Sequence, residues 1–119
     1  MRVPQTVLVV DYDLWGRRRL AAALGESGYT VVEASNGASG LRLAESHQPQ
    51  VIVLGNALPE MRTDVVIDSL RDSRVTRDIP VLRLAGRQSD EHENRSQTAL
   101  LGQVERITAR HHGSTLPGG

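Results

Sequence analysis

Four short aliphatic runs, rich in β-branched residues, recur along the chain: TVLVV (6–10), YTVVEA (29–34), VIVL (51–54) and IPVLRL (79–84). Mostly unbroken apolar runs of this length suit strands buried on both faces of a parallel sheet, since a half-solvated strand would alternate. Between them lie segments of helical period. Segment 14–27 carries Leu20, Ala23 and Leu24, with Ser27 beyond, at i, i+3, i+4, i+7 spacing, Asp13 as a candidate N-cap and Gly28 as a stop. Segment 37–48 carries Leu41 and Ala44 and ends before Pro49, and segment 63–72 carries Val66, Ile67 and Leu70. The expected order is β-α-β-α-β-α-β, an open α/β sheet, with no internal repeat or low-complexity tract.

The last third follows another pattern. From Gly86 onward no run of strand type occurs, and SDEHENRSQTALLGQVERITARHHG reads as one long helix. Asp90 and Glu93 have capping-box spacing, acids gather at the positive dipole end, and Arg106, Arg110, His111 and His112 gather at the other, before Gly113. Leu100, Leu101, Val104 and Ile107 form an apolar stripe in its second half alone. The expected organisation is a 1–85 α/β core, an 86–112 helical segment and a disordered 113–119 tail.

Composition excludes several chemistries. The chain of 119 residues has no cysteine, which removes disulfides, thiolate metal sites and a cysteine nucleophile. All fourteen basic residues are Arg, so any step that needs a lysine is excluded. Fourteen acids balance them, and a net charge of zero gives no global pull toward nucleic acid or anionic membrane. No apolar stretch approaches the ~20 residues of a membrane span, and VLVV (7–10) is too short for a signal segment. A cytoplasmic location is expected.

The phrases TVLVVDYD, GYTVVEASNG, VIVLGNALPEM and TRDIPVL, in this order and spacing, resemble the receiver domain of bacterial two-component response regulators over roughly residues 5–85. The resemblance implies a flavodoxin-like sheet with helices on both faces and a site at the carboxyl ends of the strands. With the family's fifth strand missing, the expected order is 2-1-3-4 plus one long C-terminal helix. It also implies a chemistry: an acidic pair after strand 1 that holds Mg²⁺, an Asp after strand 3 that accepts a phosphoryl group, a Ser or Thr after strand 4 and a Lys after strand 5.

Carried over position by position, most of that chemistry is absent. Asp11 supplies the first acid, but Tyr12 stands at the second, the direct metal ligand. The phosphoacceptor position is Gly55, the Ser/Thr position is Ala85, and no lysine exists. Asp13 is better explained as the N-cap of helix 1, and Asn56 after the acceptor position is a neutral amide and a poor nucleophile. Asp11 alone gives little charge for Mg²⁺, which usually takes one or two carboxylates plus phosphate, so neither metal nor cofactor is expected.

The sequence therefore implies a non-enzymatic, phosphorylation-independent protein-interaction module, with Asp11, Tyr12, Asp13, Gly55, Asn56 and Ala85 as a vestigial pocket. The alternative is a sensor that holds a small molecule or anion in that pocket. Loss of the fifth strand would make strand 79–84 an edge, protected by Arg83, and Leu100, Leu101, Val104 and Ile107 would complete an interaction surface for a homodimer or another protein. Arg17, Arg18 and Arg19 read as a solvated helix face, and SNGASG (35–40) as a turn and helix start in preference to a phosphate cradle.

Overall fold

A computed structural model describes residues 5–55, 58–84 and 99–109. Its elements run β1 (Thr6–Val10), α1 (Leu14–Glu26), β2 (Thr30–Ala34), α2 (Gly37–His47), β3 (Val51–Leu54), α3 (Thr63–Asp72) and β4 (Val81–Arg83), followed by a helix over 99–109, α4. Every strand pairing is parallel and the sheet order is β2-β1-β3-β4. The order agrees with the expected 2-1-3-4, and among the described residues there is no fifth strand.

The doubly covered sheet explains the unbroken apolar runs. Leu8, Val10, Ile52 and Leu54 point to one face, where Ala44 of α2 and Val66 and Leu70 of α3 join them in a buried cluster. The alternate residues Val7, Val9, Val51 and Val53 point the other way and are 0% exposed. On that second face α1 packs, because Glu33, in register with Val9, meets Arg17 of α1 at 2.9 Å. Each fully buried Val, Leu or Ile contributes about 1.5–3 kcal/mol of transfer free energy, so the central strands β1 and β3 dominate stability.

The helix boundaries follow local chemistry. Asp13 caps α1, its carboxylate accepting from the Gly16 N–H at 3.0 Å, and Gly28 beyond its end has φ +101°, a conformation that suits glycine. Asn36 caps α2 through the Ser39 N–H at 2.8 Å, which makes SNGASG a helix start. Arg62 stands at the N-cap of α3 without a side-chain cap bond.

Strand β4 is shorter than the expected 79–84. Pro80 has no N–H and Ile79 directs its own to Thr76 O at 3.0 Å, so the ladder starts with Pro80 O accepting from Ile52. Arg83 is exposed between two half-buried leucines.

The chain divides into two compact units, Met1–Gly86 and Arg87–Gly119. In the second, Leu100, Val104 and Thr108 are 5%, 0% and 3% exposed, one per turn of α4, while Leu101 and Ile107 are half-buried. The Asp90–Glu93 capping box, the basic end at Arg110–His112 and the 113–119 tail lie outside the described residues.

Candidate functional site

Asp11 and Gly55 come together because β1 and β3 are register neighbours. Val10 pairs with Leu54, and one step on the Gly55 N–H donates to Val10 O at 2.7 Å. On the other side the Asp11 N–H donates to Ala34 O at 2.9 Å, so Asp11 is held between β2 and β3 at the carboxyl edge of the sheet. Its side chain lies over the glycine: a Cβ at Gly55 would stand 2.9 Å from both the carboxyl carbon and Oδ1 of Asp11.

The Asp11 carboxyl accepts from the Asp13 N–H at 3.1 Å, and its main-chain oxygen accepts from Arg17 Nη1 at 2.8 Å. Burial pushes this carboxyl above the usual aspartate value, and the nearby Asp13 carboxylate adds to the shift. Backbone hydrogen bonds from Asp13 and Tyr12 and the Arg17 guanidinium oppose it. The group is therefore a desolvated acid held in place, with little tendency to attract further anions.

Gly55 is tied from below. The Thr63 hydroxyl, buried in the first turn of α3, donates to Gly55 O at 2.8 Å. This bond links the end of β3 to α3 across the loop that carries Pro59. In sequence the 63–72 segment stands out only by its apolar positions, and a Thr opening a helix is the one local signal for Thr63. Arg17 also departs from the solvated face that the 17–19 run implies. It is a bridge, with a side chain 12% exposed that joins Glu33 of β2 to the Asp11 carbonyl, whereas Arg18 keeps the solvated position.

Around this centre the chain shows apolar surface. Tyr12, Leu14, Trp15 and Val65 are 64%, 44%, 74% and 45% exposed. Asp64 is exposed and faces Arg62 at 3.2 Å. Asn56 and Ala85 lie outside the described residues.

The donor set does not fit Mg²⁺. Asp13 spends Oδ2 on the helix cap, Tyr12 turns outward, and Gly55 brings no carboxylate. Among the described residues no group of three His, Cys, Asp or Glu could hold a metal ion. Also among these residues, no helix is long and apolar enough to cross a membrane.

The family model of the response regulator receiver domain matches residues 7–107, which extends beyond the segment that carries the sequence phrases. The polar-differentiation response regulator DivK of Brucella anthropi is 28% identical over 105 residues, covering 88% of this chain and 76% of DivK. The transcriptional regulatory protein KdpE of Mycobacterium tuberculosis is 42% identical over 65 residues, and there the chain spans only 29% of the relative's length. Among solved structures, the chemotaxis response regulator CheY4 of Vibrio cholerae matches with a TM-score of 0.75 at 23% identity, covering 88% of this chain and 99% of that one, a likeness of fold. A receiver protein of Methanoculleus marisnigri matches at 26% identity with a TM-score of 0.66, covering 77% of each chain. The chain thus belongs to the response regulator receiver domain family, the signalling module of two-component systems.

Proposed function

We propose that this chain is a degenerate receiver that signals by binding protein partners in the bacterial cytoplasm, with no phosphoryl group on its β3 site and no catalytic activity of its own. The observation that carries this reading is Gly55 at the end of β3, with the Asp11 carboxyl lying over it, in a chain that has no lysine. Phosphoryl transfer requires a nucleophile and a positive clamp on the transferred group. Here Gly55 has only a hydrogen where an acceptor carboxylate would stand, and Tyr12 takes the place of the metal-binding acid. The four parallel strands and the three helices between them are kept around that loss.

The expected alternative, a ligand in the vacated pocket, draws no support from this geometry, since Asp11 already fills the space a side chain would leave.

The test is intact-mass spectrometry after incubation with a small acyl-phosphate donor and Mg²⁺, beside a phosphorylatable receiver. No covalent phosphate is expected. A stable phosphoryl adduct on the folded chain would overturn the reading.

A further inference from the structure

Three elements meet over Gly37, the first residue of α2. A Cβ there would stand 2.9 Å from the Met61 sulfur, 2.9 Å from Val66 Cγ2 of α3 and 3.2 Å from Met61 Cβ. The glycine leaves a seat on α2, and the Met61 thioether fills it beside Val66. Met61 belongs to the loop between β3 and α3. It is half-buried and packs against the cluster that holds Ala44, Leu54 and Val66.

The backbone next to this seat is strained. Glu60, exposed and one residue before Met61, has φ +67°, a left-handed conformation that a β-carbon disfavours. A residue stays in such a conformation when its surroundings hold it there. The neighbouring contact that holds this loop is apolar: a sulfur and a valine against a bare helix start. Two residues beyond Met61, the Thr63 hydroxyl donates to Gly55 O at 2.8 Å, so movement of the loop reaches the end of β3.

Met61 also stands apart chemically. The chain has no cysteine and two methionines, Met1 and Met61, so an electrophilic oxidant meets no thiol ahead of them. A methionine sulfoxide is polar where the thioether was apolar. One added oxygen overfills a seat without room for a single carbon and brings a polar group into an apolar contact.

We propose that Met61 is an oxidation site for peroxides, and that its sulfoxide unseats the β3–α3 loop from the start of α2. The sulfur lone pair attacks one peroxide oxygen, so a sulfur–oxygen bond forms and the oxygen–oxygen bond breaks. The departing hydroxide takes the proton from the oxygen now on sulfur and leaves as water. The sulfur is oxidised by two electrons and the peroxide reduced by two. Once the loop lifts, Glu60 is free to relax, which favours the unseated state. The proposal does not depend on whether Gly55 abolishes phosphoryl transfer.

Hydrogen peroxide treatment of the full chain, folded and in urea, tests it. Trypsin puts the two sulfurs on separate peptides, 1–2 and 43–62, and the second should gain one oxygen. Its rate in the folded chain should lie within about tenfold of the rate in urea, as for a half-buried sulfur. Amide hydrogen exchange in the first turns of α2 and α3 should then quicken by about tenfold or more, with β1 unchanged. Methionine sulfoxide reductases, one for each epimer, should restore slow exchange. Met61→Leu keeps the volume and should keep slow exchange under peroxide. Should that variant not fold, the wild type before oxidation, after it and after reduction decides alone. Folded-state protection of about a thousandfold or more, a sulfoxide that leaves both helix starts unchanged, or exchange that quickens equally in β1 would each overturn the proposal.

Discussion

The carboxyl of Asp11 occupies the space beside Gly55 where a side chain would stand, 2.9 Å from the place of its Cβ. The Gly55 backbone is not in the left-handed region, so the glycine is required by space and not by conformation. Alanine there would gain about 0.4–1 kcal/mol from a less free unfolded chain. Overpacking costs more, about 1–3 kcal/mol, because the Asp11 carboxyl must leave the Asp13 N–H to make room. Gly55→Ala is expected to lose about 1 kcal/mol in urea unfolding. Gly55→Asp should lose more at neutral pH, where two carboxylates would share the site, and Asp11→Asn in the same chain should recover most of that excess.

The raised Asp11 carboxyl gives stability a pH dependence of known sign. The native state holds this proton more tightly than the unfolded chain does, chiefly through burial. Between the ordinary aspartate value and the raised native one it therefore binds more protons, and stability falls as pH rises through that window. Asp11→Asn keeps an acceptor for the Asp13 N–H and removes the titration. The stability of the wild type relative to Asp11→Asn should decline across that window and level off above it, as measured by denaturant midpoints at a series of pH values. A difference that grows with pH would contradict a raised native value.

The backbone of this fold was legible because strand and helix signals are local. Runs such as VIVL, the cap at Asp13 and the stop at Gly28 mark their elements within a few residues, and the structure places all of them as read. What stayed hidden depends on contacts between distant residues. Arg17, Arg18 and Arg19 look alike in sequence, and only the position of Glu33, sixteen residues on, makes Arg17 a bridge. Likewise Gly55 announces a missing side chain, but nothing local says that Asp11 leans into the space or that Thr63 holds the carbonyl from below.

Thr63→Val tests that hold. Valine keeps the shape and loses the hydroxyl, so Gly55 O loses a buried donor at 2.8 Å. An unsatisfied buried carbonyl costs about 1–3 kcal/mol, and the expected loss lies in that range. Thr63→Ser keeps the donor and should lose less. The urea midpoints of the two variants check the order, and equal losses would assign the effect to packing alone.

Arg17 and Arg18 approach the same Glu33 oxygen, and their replacement by lysine should separate them. Arg17 donates through Nε to Glu33 and through Nη1 to the Asp11 carbonyl, with a side chain 12% exposed. A lysine ammonium is a single point charge and cannot span two acceptors set for a planar fork. Arg17→Lys is expected to lose about 1–3 kcal/mol, in the range for a hydrogen bond to a charged group and a part-buried carbonyl. Arg18 lies 3.5 Å from Glu33 with two-thirds of its side chain in solvent, where an ion pair contributes about 0–1 kcal/mol. Arg18→Lys should therefore stay within about 0.5 kcal/mol of wild type. The loss on Arg17→Lys should also be accompanied by a downward change in thermal midpoint that added salt reduces only slightly, because a part-buried pair is screened less than an exposed one.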